Sequence, residues 1–140
     1  MPKFRFRLQR VLGFRHLQEK WARDAYLSSR ARRLEAEEQT QQIEEHRSNL
    51  LKDGVTSIPS RLALESALMR LDDDFRAQMS VIGVLADEEN QLHDLWVATK
   101  REVETIEKLR VKSLDDWQVI EGRRVQAELD EWAVTRRPLA

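Results

Sequence analysis

From about Ser60 to Arg137 the chain has no proline and a sustained apolar repeat. Strides alternating between four and three residues reach Leu64, Leu68, Leu71, Phe75, Gln78, Ile82, Leu85, Glu89, Leu92, Trp96, Thr99, Val103, Ile106, Arg110, Ser113, Trp117, Ile120, Arg124, Ala127, Glu131 and Val134. Two thirds of these positions are apolar. A stride averaging about 3.5 residues is the seam of a left-handed coiled coil. One helix across this stretch is roughly 115 Å long at ~1.5 Å per residue. Helices of compact domains run three to four turns. The sequence therefore predicts that the elongated helix is the architecture.

The composition agrees. Charged residues make up 35% of the 140-residue chain, the hydrophobic set 41% and aromatics only 6%. That balance suits a long solvated helix pair better than a globule with a thick core, and it is too apolar and too periodic for disorder. A net charge of −1 points to neither nucleic acid nor membrane as a bulk-charge partner. The absence of cysteine removes disulfides and thiolate metal sites. Lys3, Arg5 and Arg7 resemble the start of a signal peptide, but no long apolar run follows Phe4, Phe6 and Leu8. The weakly polar run Met79 to Ala86 is too short to span a bilayer. A soluble, cytoplasmic protein with no direct membrane insertion is expected.

Residues 1–7 are basic with alternating aromatics, either an extended arm or the start of the first helix. That helix is expected over about residues 5–53. Its apolar stripe is Leu8, Leu12, Leu17, Trp21, Ala25, Leu27, Ala31, Leu34, Ile43 and Leu50. The stripe thins between Glu35 and Arg47. A helix polar on all sides there needs a narrow seam, or keeps a face for a partner. Residues of about 54–59 break the pattern. Gly54 suits the position just past a helix end, and Lys52 suits the negative end of its dipole. Pro59 suits a new first turn, with Ser57 or Ser60 as its cap. The second helix is expected over about residues 60–137, ended by Pro138.

A break this short between two apolar helices predicts an αα-hairpin, all-α, as a single coiled-coil domain. A turn centred near Thr56 makes the numbers of facing residues sum to about 112. Leu50 then faces Leu62, Ile43 faces Leu68 and Met69, and Leu17 meets Leu95 and Trp96. Leu8 lies near Val103 and Phe6 near Ile106. Phe4 reaches only to about Lys108, so residues from about Leu109 overhang, roughly 40 Å if helical. Val125, Leu129 and Trp132 add a second apolar face there. Two apolar faces on one unpaired helix call for a partner.

Catalytic motifs are missing. His16, His46 and His93 are scattered and belong to neither an H-E-x-x-H nor an E-x-x-H pattern, so each is read as a solvated helix histidine. The glycines do not cluster into a phosphate loop. Carboxylate pairs such as Glu37-Glu38 and Asp115-Asp116 are simplest as charged helix faces. A two-helix assembly offers no cleft that raises one carboxyl pKa for acid–base work. Gly83 and Gly122 each cost about 1 kcal/mol against Ala in a helix, either as tolerated drift or for a bend or close approach. Basic residues gather at one end in the hairpin: Lys3, Arg5, Arg7, Arg10 and Arg15, with Arg101, Lys108, Arg110 and Lys112 opposite. They either solvate the coil or meet an acidic partner. Interleaved acidic residues disfavour nucleic acid.

Two stretches carry a family resemblance. One is Phe4-Arg5-Phe6-Arg7-Leu8-Gln9-Arg10-Val11-Leu12, an aromatic-basic alternation leading into a leucine helix. The other spans Arg123 to Ala133 and holds Arg123, Gln126, Leu129, Asp130, Glu131 and Ala133 in a fixed pattern. With the length, the break near residue 56 and the tryptophan-bearing second helix, the whole chain resembles the FliJ family of flagellar export proteins. Val125 departs from the family pattern, where Glu is common, and adds apolar surface.

The resemblance implies a long antiparallel helix pair like the central stalk of rotary ATPases, with no enzymatic activity and no cofactor. It implies a place at the cytoplasmic face of the inner membrane near the flagellar base. The implied partners are the hexameric flagellar export ATPase and its regulator, the cytoplasmic domain of the export gate, and export chaperones. The residues expected at the ATPase end are Arg5, Arg7, Arg10, Arg123, Arg124, Leu129, Asp130, Glu131 and Trp132. Those expected toward the gate are Gln39, Gln42, His46, Leu68, Leu71 and Phe75. An adaptor or chaperone of a related injectisome system is the alternative.

Overall fold

A computed structural model describes residues 2–52 and 57–136 of the chain. The described chain is all-α: α1 is Gln9–Lys52 and α2 is Ile58–Thr135. The two helices pack against each other as a helical hairpin. Most of the expected turn, with Gly54 and Thr56, lies outside the described residues, as do Arg137 and Pro138.

Local chemistry fixes the start of each helix. Ser57 is the cap of α2: its Oγ accepts from the Ser60 N–H at 3.2 Å, and its carbonyl accepts from the Arg61 N–H at 3.0 Å. Pro59 sits in the first turn, where its missing N–H costs nothing. α1 starts at Gln9, later than the expected residue 5. The alternation of Phe4, Phe6 and Leu8 with Lys3, Arg5 and Arg7 has a period of two, which no helix satisfies. Residues 2–6 are an arm without regular secondary structure, closed by the Gln9 N–H donating to the Phe6 carbonyl at 3.1 Å. Its burial follows the sequence: the apolar members are half-buried and the basic ones exposed.

The chain divides into two compact units, Lys20–Val97 and Met1–Glu19 with Ala98–Ala140. In the first, the buried positions of α1 are Ala22, Ser29, Ala36 and Thr40. Ala22, Ser29 and Ala36 are seven residues apart, so they lie on one 3.5-residue seam. All four are small. The α2 side of the seam is large: Leu71 is buried, and Phe75, Ile82, Leu85, Leu92 and Trp96 are half-buried. Here the expected α1 stripe is corrected. Trp21, Leu27 and Leu34 are 56%, 47% and 47% exposed. They are the largest apolar residues of this part of α1, but they point away from the 3.5-residue seam.

The thin stretch after Glu35 keeps a narrow seam of Ala36 and Thr40. Because Ala36 is small, a side chain from α2 reaches its backbone. Gln78 Nε2 donates to the Ala36 carbonyl and to Gln39 Oε1, both at 3.1 Å, while Thr40 Oγ1 donates to the same carbonyl at 3.1 Å. One heptad further, the Arg33 guanidinium binds the buried Glu89 carboxylate and donates to Glu37 at 2.8 Å. Tyr26 stacks on Trp96 with ring centroids 5.5 Å apart, and His93 meets its edge at 5.4 Å.

The register also differs from expectation. In the Lys20–Val97 unit, Arg32 pairs with Glu88 and Arg47 with Asp72. In the other unit, Arg15 pairs with Glu102 at 2.8 Å and Gln9 accepts from Arg110 at 3.3 Å. These facing numbers sum to about 119 rather than 112, a slip of one heptad. A heptad repeat presents the same face after seven residues, so apolar matching cannot distinguish the two registers. The polar pairs can. Accordingly Leu62 does not cover Leu50 but is 61% exposed, and Ile58 is 76% exposed. Phe4 lies not near Lys108 but against Trp117, with centroids 6.0 Å apart.

Neither Gly83 nor Gly122 has a tight neighbour: an added Cβ would meet nothing within 4 Å at either. No close approach explains them.

Candidate functional site

In the unit of Met1–Glu19 and Ala98–Ala140, Leu12 and Val103 are each 5% exposed and form its core. Around them lie Arg15–Glu102 and the pairing of His16 Nε2 with Glu107 at 3.2 Å, ionic when the imidazole is protonated. The arm then lies along α2. A cavity of about 440 Å³ between them is lined by Phe4, Phe6, Leu8, Leu109, Trp117 and Ile120 on its apolar side. Arg5, Arg7, Ser113 and Asp116 supply its polar lining. The expected overhang from Leu109 is corrected here: the arm lies along α2 from Leu109 to Ile120.

Arg5, Arg7 and Arg10, expected at the ATPase end, are brought together. They line a second cavity of about 480 Å³ with Phe4, Phe6, Gln9 and Arg110. Arg110, grouped with them by the hairpin reading, occupies a seam position of α2 and holds Gln9 through its Nε. Of the other basic residues expected nearby, neither Lys108 nor Lys112 lines this cavity.

The remaining residues of that expected set lie on the last turns of α2. Every residue from Gly122 to Arg136 is exposed. Arg124 is tied to its own helix, with Nη2 on Glu121 at 2.5 Å and Nη1 on Glu128 at 2.6 Å. The hydrogen bond from Arg124 holds the Glu121 carboxyl below its ordinary value, and Glu121 in turn raises the Arg124 pKa. Leu129 and Trp132 are 55% and 57% exposed, Val125 is exposed on the same face, and Val134 is exposed on another. The Arg136 guanidinium lies over the Trp132 ring, 5.1 Å from its centroid. Arg123, Asp130 and Glu131 are exposed, and Gln126 donates to Asp130 at 3.0 Å.

The residues expected toward the gate divide. Gln42 and His46 are exposed on α1, and Gln39 is exposed but bonded to Gln78. Leu71 is buried, and Leu68 and Phe75 are half-buried in the α2 seam. A small cavity of about 80 Å³ between Ile43, Glu44 and Arg47 on α1 and Leu71, Asp72 and Phe75 on α2 marks this place. Leu71 is therefore a core residue. The residues singled out toward the gate did not include Arg47 and Asp72, which pair here at 3.3 Å; the signal for that pair was opposite charge at a facing heptad position.

Among the described residues, no group of three His, Asp or Glu side chains is placed to hold a metal ion. No described helix is long and apolar enough to cross a membrane. The chain has no significant match among curated proteins or solved structures. The family model of the flagellar FliJ protein matches residues 4–137. That match includes the arm, both helices and the exposed apolar end of α2, so the chain belongs to the flagellar FliJ protein family.

Proposed function

We propose that this chain is a non-enzymatic component of the flagellar type III export apparatus. In this reading it engages the hexameric export ATPase as a stalk and links that ring to the export gate and to chaperones. Family membership supports the flagellar export role. The observation that carries the finer reading is the exposed run after Gly122, where Val125, Leu129 and Trp132 stand uncovered along one face of a helix otherwise rich in charge. An apolar strip of this kind on a helix marks a protein contact. Coupling requires that the chain bind one state of the ring better than another.

Copurification with the export ATPase, and stimulation of its hydrolysis, test the reading. Trp132→Ala should lower binding while leaving the helix content unchanged. An unaltered hydrolysis rate with saturating chain, and full motility on deletion of its gene, would refute it.

A further inference from the structure

We propose that the cavity between the N-terminal arm and Arg110 binds an oligophosphate anion, with Arg5, Arg7, Arg10 and Arg110 as its guanidinium ligands. The four arginines line one space of about 480 Å³ together with Phe4, Phe6 and Gln9. That volume falls in the ~300–1,000 Å³ range of small-molecule sites. No carboxylate lines it. The first turn of α1, which borders it, contains no acidic residue either.

Some arginines elsewhere are neutralised by carboxylates. Arg15, Arg32, Arg33, Arg47 and Arg124 each hold a carboxylate. Among the described residues, Arg5, Arg7, Arg10 and Arg110 form no ion pair. Asp116 lines the neighbouring cavity together with Arg5 and Arg7. Four like charges around one space repel each other, and a bound anion relieves that repulsion.

The chemistry selects the ligand class. Guanidinium forks match phosphate oxygens in pairs, and charge-assisted bonds of this kind are the strong ones. Four positive charges in one compact space call for an anion carrying several charges on neighbouring groups. A pyrophosphate unit has that density, whereas a protein segment brings one carboxylate per residue. Phe4 and Phe6 line the same space and bound it on its apolar side. The pyrophosphate unit is common to free oligophosphate, a nucleotide tail and a diphosphate lipid headgroup. This inference does not rest on the ATPase reading, and its test uses the chain alone.

The test is calorimetric titration of the full chain with sodium pyrophosphate at constant ionic strength, with sodium sulfate as the control. One saturable event per chain is expected, with sulfate much weaker. Arg10→Gln and Arg110→Gln should each weaken pyrophosphate binding about tenfold, as loss of one charge-assisted bond does. Arg124→Gln, whose guanidinium is already held by Glu121 and Glu128, should bind as the parent does. Circular dichroism on every variant separates loss of binding from loss of fold. No saturable heat, equal response to sulfate, or unchanged affinity in folded Arg10→Gln and Arg110→Gln would each overturn the proposal. Titration with magnesium-free ATP, and flotation with diphosphate-lipid vesicles in the presence and absence of pyrophosphate, then identify the source. A nucleotide that competes with pyrophosphate marks a tail site, and vesicles released by pyrophosphate mark a headgroup site.

Discussion

The stretch of α2 from Leu71 to Trp96 and the stretch after Gly122 carry the same kinds of residue. Both mix large apolar side chains with arginine and glutamate at helical spacing. In the first, Leu71 and Glu89 are buried, and charge is neutralised between helices through Arg33–Glu89 and Arg47–Asp72. In the second, Leu129 and Trp132 are more than half exposed, and charge is neutralised within one helix through Arg124, Glu121 and Glu128. Periodicity gives a helix an apolar face. Only a second helix with small residues in register turns that face into a core.

Truncating one leucine in each stretch tests the contrast. Leu71→Ala should cost ~2–5 kcal/mol, the range for a buried leucine, seen as a lower urea midpoint for the whole transition. A cost under about 0.5 kcal/mol, the surface range, would mean that α1 does not cover this part of α2.

The small side of the seam gives the next largest effect. Ser29 is fully buried and its Oγ has no hydrogen-bond partner. Ser29→Leu should overpack the seam and cost ~1–3 kcal/mol. Ser29→Ala should be neutral or stabilising by up to about 1 kcal/mol, because it removes a buried unbonded hydroxyl and improves helix propensity. Thermal melts of the two variants should thus move in opposite directions. A stable Ser29→Leu protein would mean that the helices are not held close by small residues.

These residues also explain what the sequence revealed and what it hid. The all-α hairpin was legible because the repeat in α2 is long and strongly apolar. The α1 seam was not, because Ser29, Arg33 and Thr40 do not look like core residues, whereas Trp21 and Leu34 do. The register was hidden for a different reason: a slip of seven residues leaves apolar matching intact, and pairs such as Arg47–Asp72 decide it. At the candidate site, the alternation of Phe4, Phe6 and Leu8 with arginines was visible in the sequence. That the arm lies against Trp117 depended on the register and so was not.

Glu89 sharpens the comparison through pH. The hydrogen bond from Arg33 holds its carboxyl below the ordinary value despite the opposing effect of burial. Its unfolded value is about 4.3. The contribution of the pair is therefore whole above that pH and is lost as pH falls through the lower folded value. Urea midpoints measured between neutral pH and about pH 3 should fall more steeply in the parent than in Glu89→Gln, relative to that variant's lower neutral value. Parallel pH profiles would remove Glu89 from the account of acid sensitivity. The same logic applies to Glu121, whose carboxyl is also held low. Its partner Arg124 lies three residues away on the same helix, so its unfolding releases less.

The smallest effect is the most informative about the exposed end. Leu129→Ala makes the same chemical change as Leu71→Ala, four turns or more from any buried side chain of α2. At 55% exposure the leucine loses little burial on truncation, and alanine is at least as good a helix former. The urea midpoint should therefore move by no more than about 0.5 kcal/mol in free energy. If the end of α2 were instead covered within the chain, Leu129→Ala would cost as much as Leu71→Ala, and the contrast between the two stretches would fail. If the midpoint holds while binding to the export ATPase drops, the apolar residues after Gly122 are retained for a partner rather than for the fold.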